Sequence, residues 1–257
     1  MPPAFEIAGA VRSYPGVASG DPFAELLAST QFEDVGKGRR GAVLTRPDEA
    51  RGVPVVRTTT QYRTPAQRFR PVHERLARRI QEAAPLPAEF NNALVEVYAA
   101  AYATMGAHSD QALDLADGSS IAVFSCYERP ERAVGTRTLL VEAKEGGEKV
   151  AIPLAHNSAV VFSRSANRLL RHKIVLDAPP RAPENRWLGV TFRVSGTFVR
   201  FRDGRAALAD GTPLTLAGDE QRREFYHLRH RENAETDFSY PPLAYTISGS
   251  DLVPPLG

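Results

Sequence analysis

Residues 102–125 read YATMGAHSDQALDLADGSSIAVFS, with His108 and Asp110 two apart just before a loop and an apolar run directly after it. On extended chain, residues i and i+2 project from the same face, so this imidazole and this carboxylate can converge on one ion. A third ligand then has to come from another strand. His172 meets that need from inside RLLRHKIVLD (168–177), a strand-like segment with apolar neighbours. Two histidines and one carboxylate on one face of an Fe(II) ion leave the opposite positions open for a co-substrate and dioxygen. H-x-D alone is a weak signal, because a His and an Asp at a strand end commonly form a hydrogen-bonded surface pair; its weight comes from the surrounding segments.

Those segments are short and strand-like: ALVEVY (93–98), SIAVFSCY (120–127), TLLVEA (138–143), VAIPL (150–154), AVVFS (159–163), RHKIVL (171–176) and WLGVTFRV (187–194), separated by turn residues such as Glu145-Gly146-Gly147-Glu148. This spacing argues for an antiparallel, mainly β (α+β) architecture, a sandwich or jelly roll with supporting helices, and against βαβ units. Two further strands, TFVRF (197–201) and TPLTL (212–216), flank Asp203-Gly204 and Asp210-Gly211, and a polar helix is expected over about 219–233. Upstream, Thr64-Pro65 offers an N-cap and a first-turn proline for a helix carrying Phe69, Val72, Leu76 and Ile80. Residues 1 to about 50 show no sustained period and read as irregular, apart from a short helix near 22–27. The expected organisation is one domain over 1–257, with a jelly-roll core at about 90–202 and a hairpin and helix extension at about 203–257.

Composition narrows the class. With 42% hydrophobic and 24% charged residues the chain belongs with water-soluble globular proteins. No run approaches the roughly 18 apolar residues of a membrane span, and MPPAFEIAGAV lacks the basic and apolar regions of a signal peptide, so a cytoplasmic location is expected. A single cysteine, Cys126, excludes an intramolecular disulfide and any multi-thiolate metal site, leaving His, Asp and Glu to hold a metal. The net charge of +2 does not advertise a polyanion partner, although arginine greatly outnumbers lysine. His227 and His230 sit on the polar helix and read as solvated, and His73, on the Arg-rich helix, reads as facing water.

With the triad placed, the order of segments resembles the AlkB branch of the Fe(II)/2-oxoglutarate oxygenases across roughly residues 53–201. The matching stretches are EVY (96–98), HSD (108–110), SSIAVFS (119–125), LAHNS (154–158), RHKIVL (171–176) and RWLGVTFR (186–193). The resemblance implies a double-stranded β-helix using Fe(II), 2-oxoglutarate and O2, with His108, Asp110 and His172 as ligands. It further implies that Tyr98 donates its hydroxyl to 2-oxoglutarate and that Arg193 is the principal contact to one of its carboxylates, a task suited to a planar guanidinium fork. Three departures stand out. Glu96 replaces the family's Asn. Arg186 and Arg193 are seven apart rather than six, so that on a regular strand Arg186 points away unless a bulge restores it. LAHNS carries Asn and Ser in place of Gly and Asp.

Two functions are compatible with this chemistry: an oxygenase acting on a small molecule, and a demethylase of alkylated DNA or RNA bases. Base repair needs a basic surface, stacking aromatics and a lid. The segment VPVVRTTTQYRTPAQRF lies where the family's nucleotide lid lies, with Tyr62 as its substrate-contacting tyrosine, but Trp187 falls on a core strand and the C-terminal 55 or so residues have no counterpart in compact repair enzymes. The small-molecule reading is preferred, with no membrane partner. A non-catalytic jelly-roll binding module is the third reading. The substrate itself depends on loops around 50–64, 110–119 and 128–136.

Overall fold

The computed structural model describes residues 7–132, 135–147, 149–177 and 185–257. Glu148 of the expected turn and residues 133–134 of the expected 128–136 loop lie outside the described residues. In chain order the elements are α1 (Ile7–Ala10), β1 (Val11–Tyr14), α2 (Pro22–Ser29), β2 (Glu33–Gly36), β3 (Arg39–Thr45), β4 (Val53–Pro54), β5 (Gln67–Arg68) and α3 (Pro71–Ala83). The central region adds β6 (Asn92–Tyr98), β7 (Ser120–Tyr127), β8 (Thr136–Ala143), β9 (Lys149–Leu154), β10 (Ser158–Ser163), α4 (Arg164–Leu169), β11 (Leu170–Asp177) and β12 (Trp187–Arg193). The chain closes with β13 (Phe198–Arg202), β14 (Arg205–Leu208), β15 (Thr215–Leu216), α5 (Asp219–Ala234) and β16 (Tyr245–Thr246).

A major sheet runs β1-β10-β7-β12-β6-β3-β2, with β5 beside β3, and a smaller sheet runs β11-β8-β9. Within these two sheets the described pairings are antiparallel except the short β3–β5 contact. This is a jelly-roll core, and alternation along β7 shows how it is built. Ala122, Phe124 and Cys126 face the helices, packing with Leu76, Ala77 and Ile80 of α3 and Phe23 and Leu26 of α2. Ile121, Val123 and Tyr127 face the smaller sheet, packing with Leu139, Val141, Leu170 and Ile174. Period-two side chains on one strand thus serve two cores. Burial pushes the Cys126 thiol up, which leaves it an inert packing group.

Three expectations are corrected here. Residues 7–50 are not irregular, residues 1–6 lying outside the described residues: β1 pairs with β10, and β3 lies between β6 and β2. Arg39, Arg40 and Gly41 conceal the alternation of β3, whose strand character comes from pairing to β6 and from burying Ala42 and Leu44. TPLTL contributes only Thr215 and Leu216, paired in parallel with Tyr245 and Thr246. The long helix starts at Pro71 rather than near Thr64, because a residue before proline prefers extended backbone and Gln67–Arg68 already pair with β3. The Thr64 amide donates instead to Glu33 Oε2 at 2.7 Å.

His73 does not face water. It is fully buried: its Nδ1 accepts the Arg70 amide at 2.9 Å and its Nε2 lies 3.3 Å from both Ser29 Oγ and Thr30 Oγ1. It therefore caps α3 and ties it to α2 as a neutral ring. Burial, then Arg70, depress its pKa from 6.5 to about 4. A histidine depressed in the folded state contributes stability that is fully present above its unfolded pKa and is lost as pH falls toward the folded one. Between about pH 6.5 and 4 the loss should approach 1.4 kcal/mol per pH unit, roughly 3 kcal/mol in all. Urea unfolding of the protein and of His73→Asn at several pH values checks this; equal acid sensitivity in the two would contradict it.

Candidate metal centre

The first two ligands are positioned by a single antiparallel bridge. His108 N–H donates to the His172 carbonyl at 2.9 Å and His172 N–H donates to the His108 carbonyl at 2.7 Å. This reciprocal pair sets the two imidazoles side by side, with ring centroids 4.8 Å apart. Asp110, two residues on, turns toward the same point, with Oδ1 3.4 Å from His172 Nε2. The three ligand atoms all lie within 4.8 Å of one another.

The surroundings fix each ligand's protonation and aim. His108 Nδ1 lies 2.8 Å from the Gly106 carbonyl, which can only accept, so Nδ1 carries the proton and Nε2 keeps its lone pair. Burial, followed by the His172 charge, depresses His108 to about 3, so the ring is neutral at physiological pH. Burial alone would raise the Asp110 carboxyl, but Arg193 and then His172 hold it far below the usual carboxylate range. Arg193 places Nε 2.8 Å and Nη2 2.7 Å from Asp110 Oδ2, leaving Oδ1 turned to the histidines. Two imidazole nitrogens and one oriented carboxylate oxygen on one face form the donor set of an Fe(II) site with open positions opposite. The residues present therefore fit iron.

Behind the ligands stands a set of residues without a sequence signal. Buried Asn167, on α4, accepts the Asp110 amide and donates to the Asp110 carbonyl, both at 2.7 Å. Ser109 donates through Oγ to the Leu170 carbonyl at 2.7 Å. Helix α5 clamps this segment from the other side: Asn233 Oδ1 accepts the Ser109 amide at 3.0 Å, Glu232 Oε1 accepts the Ala112 amide at 2.7 Å, and Arg229 donates to the Ser109 carbonyl. A helix that reads as merely solvated thus uses its polar residues as partners for the metal-binding loop, while His227 and His230 do stay exposed.

The other expected site residues fall in different places. Tyr98, Glu96 and Arg193 line the same cavity of about 490 Å³ as the triad. The Tyr98 hydroxyl donates to Glu96 Oε2 at 2.7 Å. Arg193 is engaged with the metal-ligating Asp110 rather than standing free for a co-substrate. Arg186 is not brought into the cavity: it precedes β12, reaches Glu128 at 2.6 and 3.0 Å and lies over the Phe23 ring, so no bulge restores it. Tyr62 is not an exposed lid platform; it is buried, with its amide 2.9 Å from Ser248 Oγ.

The 2OG-Fe(II) oxygenase superfamily profile matches residues 45–209. No curated protein matches the sequence. Among solved structures, OsALKBH1 is 15% identical with a TM-score of 0.48, covering 72% of this chain and 97% of that one. A prolyl-4-hydroxylase from Pseudomonas putida is 12% identical with a TM-score of 0.41, over 73% and 94% of the two chains. An oxidoreductase of the 2OG-Fe(II) oxygenase family from Burkholderia pseudomallei is 13% identical with a TM-score of 0.43, over 72% and 85%.

Proposed function

The chain belongs to the 2OG-Fe(II) oxygenase superfamily, and from that premise we propose that it oxidises a small organic molecule rather than a base held in a nucleic-acid strand. His108, Asp110 and His172 would hold an Fe(II) that lets O2 act as the oxidant, taking two electrons from 2-oxoglutarate, which would leave as succinate and CO2, and two from a substrate C–H bond. The protein's own part is positional. Arg193 and Asn167 hold Asp110, Gly106 fixes the His108 tautomer, and α5 closes the side of the cavity.

The observation that carries the small-molecule reading is this α5 wall. Tyr226, Arg229 and Asn233 of α5 line the cavity together with Thr58–Thr60 of the opposite loop, giving a bounded space within the range of small-ligand sites. Its polar equipment suits such a ligand: Gln111 lines the cavity with both amide atoms buried and without a partner. Tyr62, the residue a flipped base would stack on, is instead buried beneath the C-terminal segment. Helix α5 carries four acidic and four basic residues, which offers no cationic track for a phosphate backbone. Among the described residues no helix is long and apolar enough to cross a membrane.

Succinate formation measured with a fractionated metabolite pool, and separately with alkylated DNA and RNA oligonucleotides, tests the proposal. Stimulation by a metabolite fraction is expected. Oligonucleotide-stimulated turnover with release of formaldehyde would overturn it in favour of base demethylation.

A further inference from the structure

2-Oxoglutarate carries two carboxylates. One lies beside its 2-oxo group, the end that would chelate a metal held by the triad; the distal one has to be neutralised elsewhere in the cavity, since a buried unpaired carboxylate is costly. The described cations lining the cavity are Arg39, Arg193 and Arg229. Arg193 is engaged with Asp110. Arg229, on the outer wall, is engaged with Glu232 and the Ser109 carbonyl. Arg39 is also paired, but with Glu96, a carboxylate that lines the cavity and is not one of the triad, and its side chain is only 20% exposed.

The surroundings of Arg39 already form a carboxylate site. Its Nη1 lies 3.0 Å from Glu96 Oε1, and the Tyr98 hydroxyl lies 2.7 Å from Glu96 Oε2, so a guanidinium and a phenol converge on one carboxylate. The rung that holds Glu96 runs Ser125–Gly189–Glu96–Gly41 across β7, β12, β6 and β3. A side chain at Gly189 would strike the Trp187 ring at 2.0 Å, and one at Gly41 would strike Tyr62 Oη at 2.7 Å, so both glycines make room for aromatic neighbours. Ser125 Oγ, Trp187 Nε1 and Tyr62 Oη are buried here without partners.

We propose that Arg39 anchors the distal carboxylate of 2-oxoglutarate, and that Glu96 holds that place as an internal carboxylate which the co-substrate displaces. The inference rests on the family co-substrate binding in this cavity. Glu96 is a poor permanent occupant, because burial disfavours its charge and a second carboxylate beside it adds like-charge repulsion. Glu96 in place of an amide thus tunes co-substrate affinity downward, and Arg39 supplies the charge that Arg186, facing Glu128, does not.

The test uses the anaerobic Fe(II)-loaded protein and two five-carbon ligands, 2-oxoglutarate and 2-oxopentanoate, which share the chelating end and differ only in the distal carboxylate. Binding is read from the metal-to-ligand charge-transfer absorbance, without turnover. Arg39→Ala should weaken 2-oxoglutarate by at least about 30-fold, as for truncating one partner of a buried charge pair, and leave 2-oxopentanoate unchanged. Arg39→Lys should fall between. Glu96→Gln should tighten 2-oxoglutarate by at least about threefold, the order for lifting one partly screened like-charge contact. Equal weakening of both ligands by Arg39→Ala, or weaker 2-oxoglutarate binding by Glu96→Gln, would overturn the proposal while leaving the site intact. Equal affinity of the unaltered protein for the two ligands would do the same. Binding of neither would overturn the proposal together with the co-substrate reading beneath it.

Discussion

Replacing His108, Asp110 or His172 by Ala should leave a folded protein that neither retains Fe(II) through dialysis nor converts 2-oxoglutarate to succinate. The three ligand atoms converge within 4.8 Å, and no fourth described His, Cys, Asp or Glu joins the cluster to compensate. Losing an outer-shell partner of a metal ligand typically costs about 10–100-fold in affinity or activity, so loss of a ligand itself should exceed that range. The Asp110 variant should be the most disturbed of the three, because it also leaves Arg193 buried without its carboxylate. Metal content after dialysis and succinate release check the result. Full succinate production by any one variant would remove that residue from the ligand set.

The largest effect on stability should come from Arg57→Met. Arg57 and Asp114 form an ion pair at 2.7 Å with side chains 4% and 0% exposed, and the Arg57 amide also donates to Asp114 at 2.7 Å. Its Nη1 reaches the carbonyls of Leu243 at 2.7 Å and Tyr245 at 2.9 Å. One guanidinium therefore joins the segment before Thr58–Thr60, the loop that follows Asp110, and the C-terminal segment beside α5. Removing it strands a buried carboxylate, which costs about 3–5 kcal/mol, a large share of the roughly 5–15 kcal/mol available to a folded domain. The double variant Arg57→Met/Asp114→Leu should recover most of the loss, since replacing both charges removes the desolvation problem along with the attraction. Denaturant midpoints of the single and double variants decide it. A single variant within about 0.5 kcal/mol of the parent would contradict the account.

The triad was legible because H-x-D on extended chain can turn both side chains to one point, and here a single bridge at His108, outside any strand, is enough to do so. Most core strands were legible for a similar reason: alternating or continuous apolar runs bounded by turn residues identify strands before their partners are known. What escaped depends on partners distant in sequence. Arg39-Arg40-Gly41 hides a strand that only β6 makes sense of. His73 reads as solvated in the sequence because its partners are distant in sequence or on the backbone: the Arg70 amide, Ser29 at the end of α2, and Thr30 just after it. Asn167 and the α5 residues Asn233 and Glu232 hold the metal-binding segment through its backbone, and a backbone contact leaves no motif. The seven-residue spacing of Arg186 and Arg193 was readable as a warning, and its cause is plain: β12 begins at Trp187, so Arg186 lies before the strand and turns to Glu128.

The central claim is that one Fe(II) ion sits where His108, Asp110 and His172 converge. Anomalous diffraction at the iron edge, from crystals grown anaerobically with Fe(II) and 2-oxoglutarate, tests it most directly. The account predicts a single strong peak bounded by His108 Nε2, His172 Nε2 and Asp110 Oδ1, with Arg193 still on Asp110 Oδ2. A peak elsewhere, or none at this point in a protein that contains iron, would contradict it.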